Sequence, residues 1–369
     1  MIFTLIVFIF VLAVLVLAHE FGHFIVARKN GIKVEEFGFG FPPRLFGVRR
    51  GDTLYSLNLI PLGGFVKIKG EDGENAVDSD SFSAKKIWQR VLVLSAGVIM
   101  NFVLAAVLLG AGFIIGLPQS VEDAGRGAKI SNPKIEIMAV LPGAPAQSAG
   151  LSLGDEIVSV DGRVMSDLAD LQNYVDTNQG KSLNFVLRRN NEIFGKEITP
   201  VEIKESGRGG IGVALMNIGT ISYPWYLAVP KGFAAAGYFG VEVLRAFGGL
   251  FKDLIVGAPS VTENLAGPVG IAVLTGKAAK LGIGYLLQFM AMLSVNLAIL
   301  NILPIPALDG GRILFLIIEK LRGRPVGRRL ENAFHTTGFA LLMLLVLAVT
   351  AKDVSHLKGF FFSIWQKLF

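Results

Sequence analysis

Three ionisable residues, His19, Glu20 and His23, fall within the run AHEFGH, inside a stretch that is otherwise apolar from Met1 to Ala27. On a helix, positions i and i+4 share one face with side chains about 6 Å apart, so both imidazoles can grip a single Zn²⁺. Glu20 follows His19 directly and projects about 100° away from that shared face. It is placed to take a proton from a water on the metal without itself being a ligand. The alternative is a helix with two histidines satisfied by other partners. Three ionisable groups inside one apolar span are expensive, however, and metal binding gives them a shared reason to be there.

Two histidines do not complete a catalytic zinc site, which commonly has three protein ligands and an open position. The conspicuous acid elsewhere in an apolar context is Asp309, at the end of NILPIPALDGGR. Pro304 and Pro306 interrupt a helix just before it, and Gly310 and Gly311 allow the backbone to approach a neighbour closely. Asp309 is also well placed to cap the following helix, GRILFLIIEKL, and both roles stand open at this level.

The elements that must position these groups are membrane helices. Of the 369 residues 52% are hydrophobic and 17% charged. Soluble domains carry about a quarter charged residues, and the mean hydropathy of +0.57 points the same way. This composition excludes a disordered, collagen-like or coiled-coil protein, and the lack of cysteine excludes disulfides, thiolate metal sites and a cysteine nucleophile. The net charge of +6 comes with no basic stripe interleaved with aromatics, so nucleic acid is not an expected partner. Four spans are expected: Met1 to Ala27, the uncharged interval between Arg90 and Glu122, Leu281 to Leu308, and a shorter one from about Thr336 to Ala351. The first reads as an uncleaved helix and not a signal peptide, because Arg28 and Lys29 follow the apolar run instead of preceding it.

Orientation follows from the flanking charges. Lysines and arginines crowd the interval from Arg28 to Arg90, and Lys320, Arg322, Arg324, Arg328 and Arg329 lie between spans three and four. Only Arg126 and Lys129 follow closely on span two. The basic loops are expected in the cytoplasm, with both termini and the region 118–280 outside. His19, His23 and Asp309 then share the cytoplasmic ends of their spans and lie at similar depth.

Within the long external region, 133–205 reads as short strands (IEIMAVL, DEIVSVDG, SLNFVLRR, KEITPVEI) with a polar helical stretch from Ser166 to Asp176. This is a small soluble α+β domain. From Tyr223 to Gly257, aromatics, glycines and sparse charges suit a helix lying on the membrane surface, and a buried core helix is the competing reading.

HEFGH near the N-terminus with LDGG in a late span resembles the site-2 protease family of intramembrane zinc metalloproteases, most closely its bacterial regulator-of-sigma-E protease type. The resemblance extends through EFGFGF (36–41), NLIPLGGFVKIKGE (58–71), the AG-x-x-x-N pattern ending at Asn101, LAGPVGIA (265–272) and SVNLAILNILPIPALDGG (294–311). It covers nearly the whole chain in the family's order. Two departures are visible. Ala96-Gly97-Val98 stands where the family typically reads AGP, which implies a less kinked helix, and the chain has room for one PDZ-like domain where many proteobacterial members carry two.

The resemblance implies His19, His23 and Asp309 as zinc ligands and Glu20 as general base. Asn101, Asn296 and Asn301 are similar to family asparagines near the site. For Asn301 substrate contact is the preferred role, while for Asn296 and Asn101 substrate contact and interhelical hydrogen bonding both stay open. The loop from Lys33 to Gly70 resembles a membrane-reentrant β-hairpin region whose strand edge could pair with substrate, its turns permitted by Gly38, Gly40, Gly63 and Gly64, which are ordinary loop glycines on the other reading. LPGAPAQSAGLSLGDEIVSVDG looks like a PDZ domain, with GGIGV (209–213) flanking a groove for a peptide chain end.

The expected architecture is thus a polytopic α-helical membrane protein with four transmembrane helices, the N-terminus outside, an inserted α+β PDZ-like domain and a reentrant β-hairpin. Its parts are 1–117 (spans one and two), 125–215 (PDZ-like), 220–280 (membrane-surface segment) and 281–369 (spans three and four). The implied function is zinc-dependent cleavage of transmembrane segments in single-span membrane proteins, of the anti-sigma-factor or remnant-signal-peptide type. The implied setting is the bacterial inner membrane, with the lipid bilayer as the surrounding partner. A metal-binding transporter or a catalytically silent PDZ-bearing scaffold is the competing class. A transporter calls for polar groups across several spans, and a scaffold has no need of Glu20.

Overall fold

The computed structural model describes residues 2–71, 78–165, 167–189, 192–203, 207–256 and 267–368. The expectations for Ser166, Leu265 and Ala266 lie outside these residues. The chain divides into two compact units, Met1–Ala111 with Val229–Phe369, and Gly112–Ala228.

The first unit opens with α1 (Ile2–Lys29), whose last turn carries Arg28 and Lys29, cations suited to a helix C-terminus. Strands β1 (Val34–Arg50) and β2 (Thr53–Ile68) follow, joined through Gly51 at φ +63°. Neither strand keeps one partner. Residues 34–41 run antiparallel to 60–68, residues 44–50 pair with 53–58, and Glu36 to Phe39 has Leu54 to Leu57 as a second set of neighbours. Pro42, Pro43 and Pro61 stand where the partners change, consistent with their inability to donate to a ladder. The expected hairpin is therefore a folded sheet of four segments. Helix α2 (Ile87–Ile115) completes this part of the chain.

The second unit contains β3 (Leu117–Ser120), β4 (Lys129–Val140), α3 (Pro145–Ser148), β5 (Glu156–Val160), α4 (Leu168–Thr177), β6 (Leu183–Arg189), β7 (Glu192–Ile198), β8 (Val201–Ile203), β9 (Arg208–Gly210) and β10 (Val213–Ser222). Six strands form one sheet in the order β3-β10-β4-β5-β6-β7, and β8 pairs with β9. Alternation builds the core: Leu183, Phe185 and Leu187 all point inward from β6. From α4, Leu171 and Val175 bury the same face, and Asp167 caps the helix by accepting from the Ala169 N–H at 3.2 Å. Wholly buried Asp155 receives Arg189 at 2.6 and 2.7 Å and the Ser152 N–H at 2.8 Å. This carboxylate holds the Arg189 guanidinium above its ordinary pKa. The unit is wider than 125–215 because β3 and the end of β10 belong to its sheet.

Helices α5 (Trp225–Val256), α6 (Pro268–Leu281), α7 (Ile283–Ile302), α8 (Asp309–Arg322) and α9 (Arg328–Leu368) follow. Gly232 of α5 lies against the backbone of Ala106 and Gly110, and Gly240 against the Phe102 ring, so part of this helix packs on α2. Among the described residues four helices, α1, α2, α7 and α9, are long and apolar enough to cross a membrane. Their outer faces expose side chains such as Ile2, Ile6, Phe10, Leu341 and Leu344, which suits lipid and not water. The third span ends at Ile302, before Pro304, and not at Leu308; the fourth helix begins at Arg328, well before its apolar core. A cluster of Phe24, Ala27, Ile32, Val34, Ile68, Phe82, Val93, Leu94 and Leu316 joins α1, both strands, α2 and α8. Ion pairs Arg90–Glu319 and Arg312–Glu71 tie α8 to α2 and to the end of the β region.

Candidate metal centre

His19 and His23 lie one turn apart on α1, and Asp309 is the first residue of α8. The position before it, Leu308, is the N-cap, and no side chain caps that helix, so the carboxylate is free of the capping role. Its Oδ2 lies 3.2 Å from His19 Nε2 and 3.4 Å from His23 Nε2, and the two Nε2 atoms are 3.2 Å apart. A tetrahedral Zn²⁺ with bonds of about 2.0–2.1 Å needs ligand atoms about 3.3–3.4 Å from one another. The triangle fits that ion. Asp309 Oδ2 is buried without a hydrogen-bond donor, as a metal ligand would be.

The hydrogen bond behind the His23 ring presents the correct nitrogen. His23 Nδ1 lies 2.8 Å from the Val93 carbonyl of α2. Donation there puts the proton on Nδ1 and leaves Nε2 with its lone pair directed at the triangle. His19 Nδ1 lies 3.4 Å from Nδ2 of Asn101, which is fully buried, and the Asn101 backbone carbonyl accepts from Ser294 Oγ of α7 at 2.8 Å. The amide nitrogen faces the ring as it stands; turning the amide by 180° would bring its oxygen to Nδ1 and give His19 the same tautomer as His23.

Glycines set the spacing. A Cβ on Gly22 would stand 2.7 Å from the Ala96 carbonyl carbon and 2.9 Å from Met100 Cβ, so α1 and α2 touch at that point. A Cβ on Gly97 would lie 2.6 Å from His19 Cε1 and 2.8 Å from His19 Nδ1, and would overlap His23 Nε2. Gly97 is thus the floor on which both imidazoles rest. Ahead of Asp309, Ala307 adopts φ +69°, and the first turn of α8 folds closely over Ile302 and Ile305 because Gly310 and Gly311 have no side chains.

Glu20, Asn101, Asn301, Val16, Leu297, Ala307 and Leu308 line a pocket of about 290 Å³ together with His19 and Asp309. Asn301 places its amide 3.4 Å from His19 Nε2. Asn296 is half-buried on α7 and is not among the residues lining this pocket. From the β region, Gly64 comes beside Glu20: a Cβ there would be 3.7 Å from Glu20 Cγ and 3.5 Å from Val16 Cγ1. Gly38 packs beneath Phe65, Gly40 takes φ +79° against the Ile60 carbonyl, and Gly63 takes φ +136° under the Phe41 ring. These three shape the folded sheet and stand back from the triangle.

Reading the sequence alone missed Gly22, Gly97 and His335. Gly22 and Gly97 carried a signal, since an isolated glycine in an apolar helix marks a close approach. His335 of α9 accepts from the Ala307 N–H at 2.9 Å, a contact no local pattern announces.

In the second unit, a groove of about 400 Å³ lies between α4 and the start of β10, lined by Leu171, Val175, Phe185, Ile211, Val213 and Leu215 among others. Strand β10 pairs with β4 from Val213 onward, but with β3 only from Ile218 to Ile221. Residues 213–216 therefore have one strand edge without a strand partner among the described residues, and beyond them the Asn217 carbonyl accepts from the Val121 N–H at 2.8 Å. The Gly209 N–H donates to Asp176 Oδ1 at 2.6 Å, closing one end of the groove.

Comparison with known proteins finds a peptidase family and zinc metalloproteases. The profile of Peptidase family M50 matches residues 7–345. The regulator of sigma-W protease RasP of Bacillus subtilis is 31% identical, over 96% of this chain and 99% of its own length. The zinc metalloprotease RasP of Geobacillus kaustophilus is 32% identical, over 95% of this chain and 97% of its own. Among solved structures, the PDZ domain of an SdrC-like protein from Listeria monocytogenes is 23% identical, with a TM-score of 0.22, over 24% of this chain and 92% of that one.

Proposed function

The chain belongs to Peptidase family M50, the site-2 protease family, and is a zinc metalloprotease with membrane-spanning helices; from that premise we propose that it hydrolyses a peptide bond within or beside the transmembrane segment of single-span membrane proteins. The transporter and scaffold alternatives fall with that membership. The observation that carries the reading is the 3.2–3.4 Å triangle of His19, His23 and Asp309 with Glu20 lining the same pocket.

His19, His23 and Asp309 would hold the zinc, which when bound polarises a carbonyl and acidifies a water. Glu20 takes the proton from the attacking water and delivers it to the nitrogen of the leaving amine as the C–N bond breaks. The Asn301 amide, facing the same pocket, is placed to donate to the scissile carbonyl oxygen as it gains charge. Asn101, buried beside the imidazole, serves as the ring-orienting partner of His19 in this reading.

A helix must unwind before its peptide bond can be cut, and an extended backbone needs partners for its freed N–H and C=O groups. The strand 60–68 runs beside Glu20 at Gly64 and pairs with 34–41 along one edge. Its other edge offers strand addition to the unwound substrate. The basic flanks of α1, α2 and α9 support a reading in which this chemistry faces the cytoplasm of a bacterial inner membrane and the N-terminus and the second unit face outside. There the groove beside β10 takes a peptide chain end by the same strand addition. Substrates of the anti-sigma-factor or remnant-signal-peptide type, already shortened outside, fit this arrangement.

The test uses purified protein and a model single-span substrate. Cleavage should disappear with a zinc chelator and return with added Zn²⁺. Cleavage that persists in metal-free protein would reject the reading.

A further inference from the structure

Resting on the zinc-site reading above, we propose that His335 of α9 is a positioning residue that holds the Ala307 turn and thereby sets Asp309 against His19 and His23. The loop between α7 and α8 must deliver one carboxylate to two imidazoles on another helix. Its Ala307 sits at φ +69°, a conformation that a side-chain-bearing residue adopts only when its surroundings impose it. What imposes it is visible. The Ala307 N–H donates to His335 Nδ1 at 2.9 Å, and Ala307 is two residues before Asp309. No capping side chain fixes the start of α8, so this contact from a separate helix takes the place of one.

The ring is itself held. It packs against Phe315 of α8 and Phe334, with centroids 5.7 and 5.5 Å away, and its Cε1 would be 3.3 Å from a Cβ on Gly311. One turn further along the same face of α9, Gly338 receives Pro306: a Cβ there would stand 2.7 Å from Pro306 Cγ and 3.1 Å from its Cα. His335 and Gly338 thus form a two-point clamp on the loop, one point a hydrogen bond and the other a close fit. Accepting at Nδ1 requires the neutral ring to carry its proton on Nε2. His335 is not one of the ligands: the group at metal-binding distance among the described residues is His19, His23 and Asp309.

The test measures zinc affinity by competition with a fluorescent chelator, on full-length protein in detergent. His335→Ala should weaken zinc binding about 10–100-fold, the range for loss of a group that orients a ligand. His335→Asn places an amide oxygen where Nδ1 was and should restore affinity to within about threefold, which a merely space-filling role would not allow. On an Asp309→Ala background, His335→Ala should change zinc affinity no further, because the clamp acts through Asp309. Should His335→Ala not fold, Gly338→Ala tests the second point and should weaken zinc while favouring the helix itself. Wild-type affinity in folded His335→Ala, or in Gly338→Ala where His335→Ala does not fold, overturns the proposal, as does an equal loss on the Asp309→Ala background or failure of His335→Asn to rescue. Absence of zinc from the wild-type protein would overturn the metal reading, and this proposal with it; an intact wild-type site undisturbed by His335→Ala overturns this proposal alone.

Discussion

Gly97→Ala adds one methyl group, and the structure says where it goes. The new Cβ would meet His19 Cε1 at 2.6 Å, whereas ordinary contact begins at 3.4 Å, so the ring must retreat by about 0.8 Å. Metal–ligand bonds tolerate roughly 0.2 Å. The His23 ring is displaced at the same time, because its Nε2 overlaps the same methyl position. Misplaced ligands cost about 10–100-fold in affinity, or about 1.4–2.8 kcal/mol. The helix moves the other way, since alanine is favoured over glycine by about 1 kcal/mol in a helix interior. Zinc affinity should therefore fall without loss of the apo-protein's helix content. The assay is zinc retention across graded chelator for wild type, Gly97→Ala and Gly248→Ala, the last a control because nothing lies within 4 Å of its new Cβ. Wild-type retention in Gly97→Ala would refute the placement of the rings on this floor.

Other consequences are equally direct. Asp155→Asn leaves Arg189 without its bidentate partner and should destabilise the second unit by about 2–3 kcal/mol, read as increased protease susceptibility of the sheet in the full-length protein. A reporter fused after Arg49 or Arg324 should behave as cytoplasmic and one inserted at Asn178 as external; the reverse pattern would overturn the charge argument. Replacing residues 133–213 with a short flexible linker should leave zinc bound, since no ligand lies there, and cleavage of a pre-shortened substrate should persist or rise. Loss of zinc from a folded deletion variant would contradict that separation.

The histidine pair was legible because one helix sets its spacing, and a helix was the only sensible reading of so apolar a run. Asp309 was legible as a candidate through its charge and the prolines before it, while its freedom from capping shows only in the fold. The rest depends on contacts distant in sequence. Alternation marks a strand but not its partners, so the exchange of pairing within β1 and β2 could not be read. Gly22 and Gly97 were visible as glycines, yet which face met which helix was not. His335 gave no signal at all, because a lone histidine near the start of a span has many uses, and its partner is a backbone N–H in another loop. The breadth of the second unit escaped for a similar reason: β3 is a four-residue strand whose place is fixed only by β10.

Glu20→Gln tests the central claim most directly. The change keeps size and polarity, leaves His19, His23 and Asp309 in place, and removes the proton acceptor. Loss of a general base costs about 10²–10⁴-fold, or roughly 3–5 kcal/mol of barrier. The measurement is the single-turnover cleavage rate of a model transmembrane substrate by Glu20→Gln protein whose zinc content equals that of wild type. The account predicts a rate at least about a hundredfold lower with zinc and substrate binding retained. A near wild-type rate at full zinc occupancy would contradict the proposed hydrolysis, even with the metal centre intact.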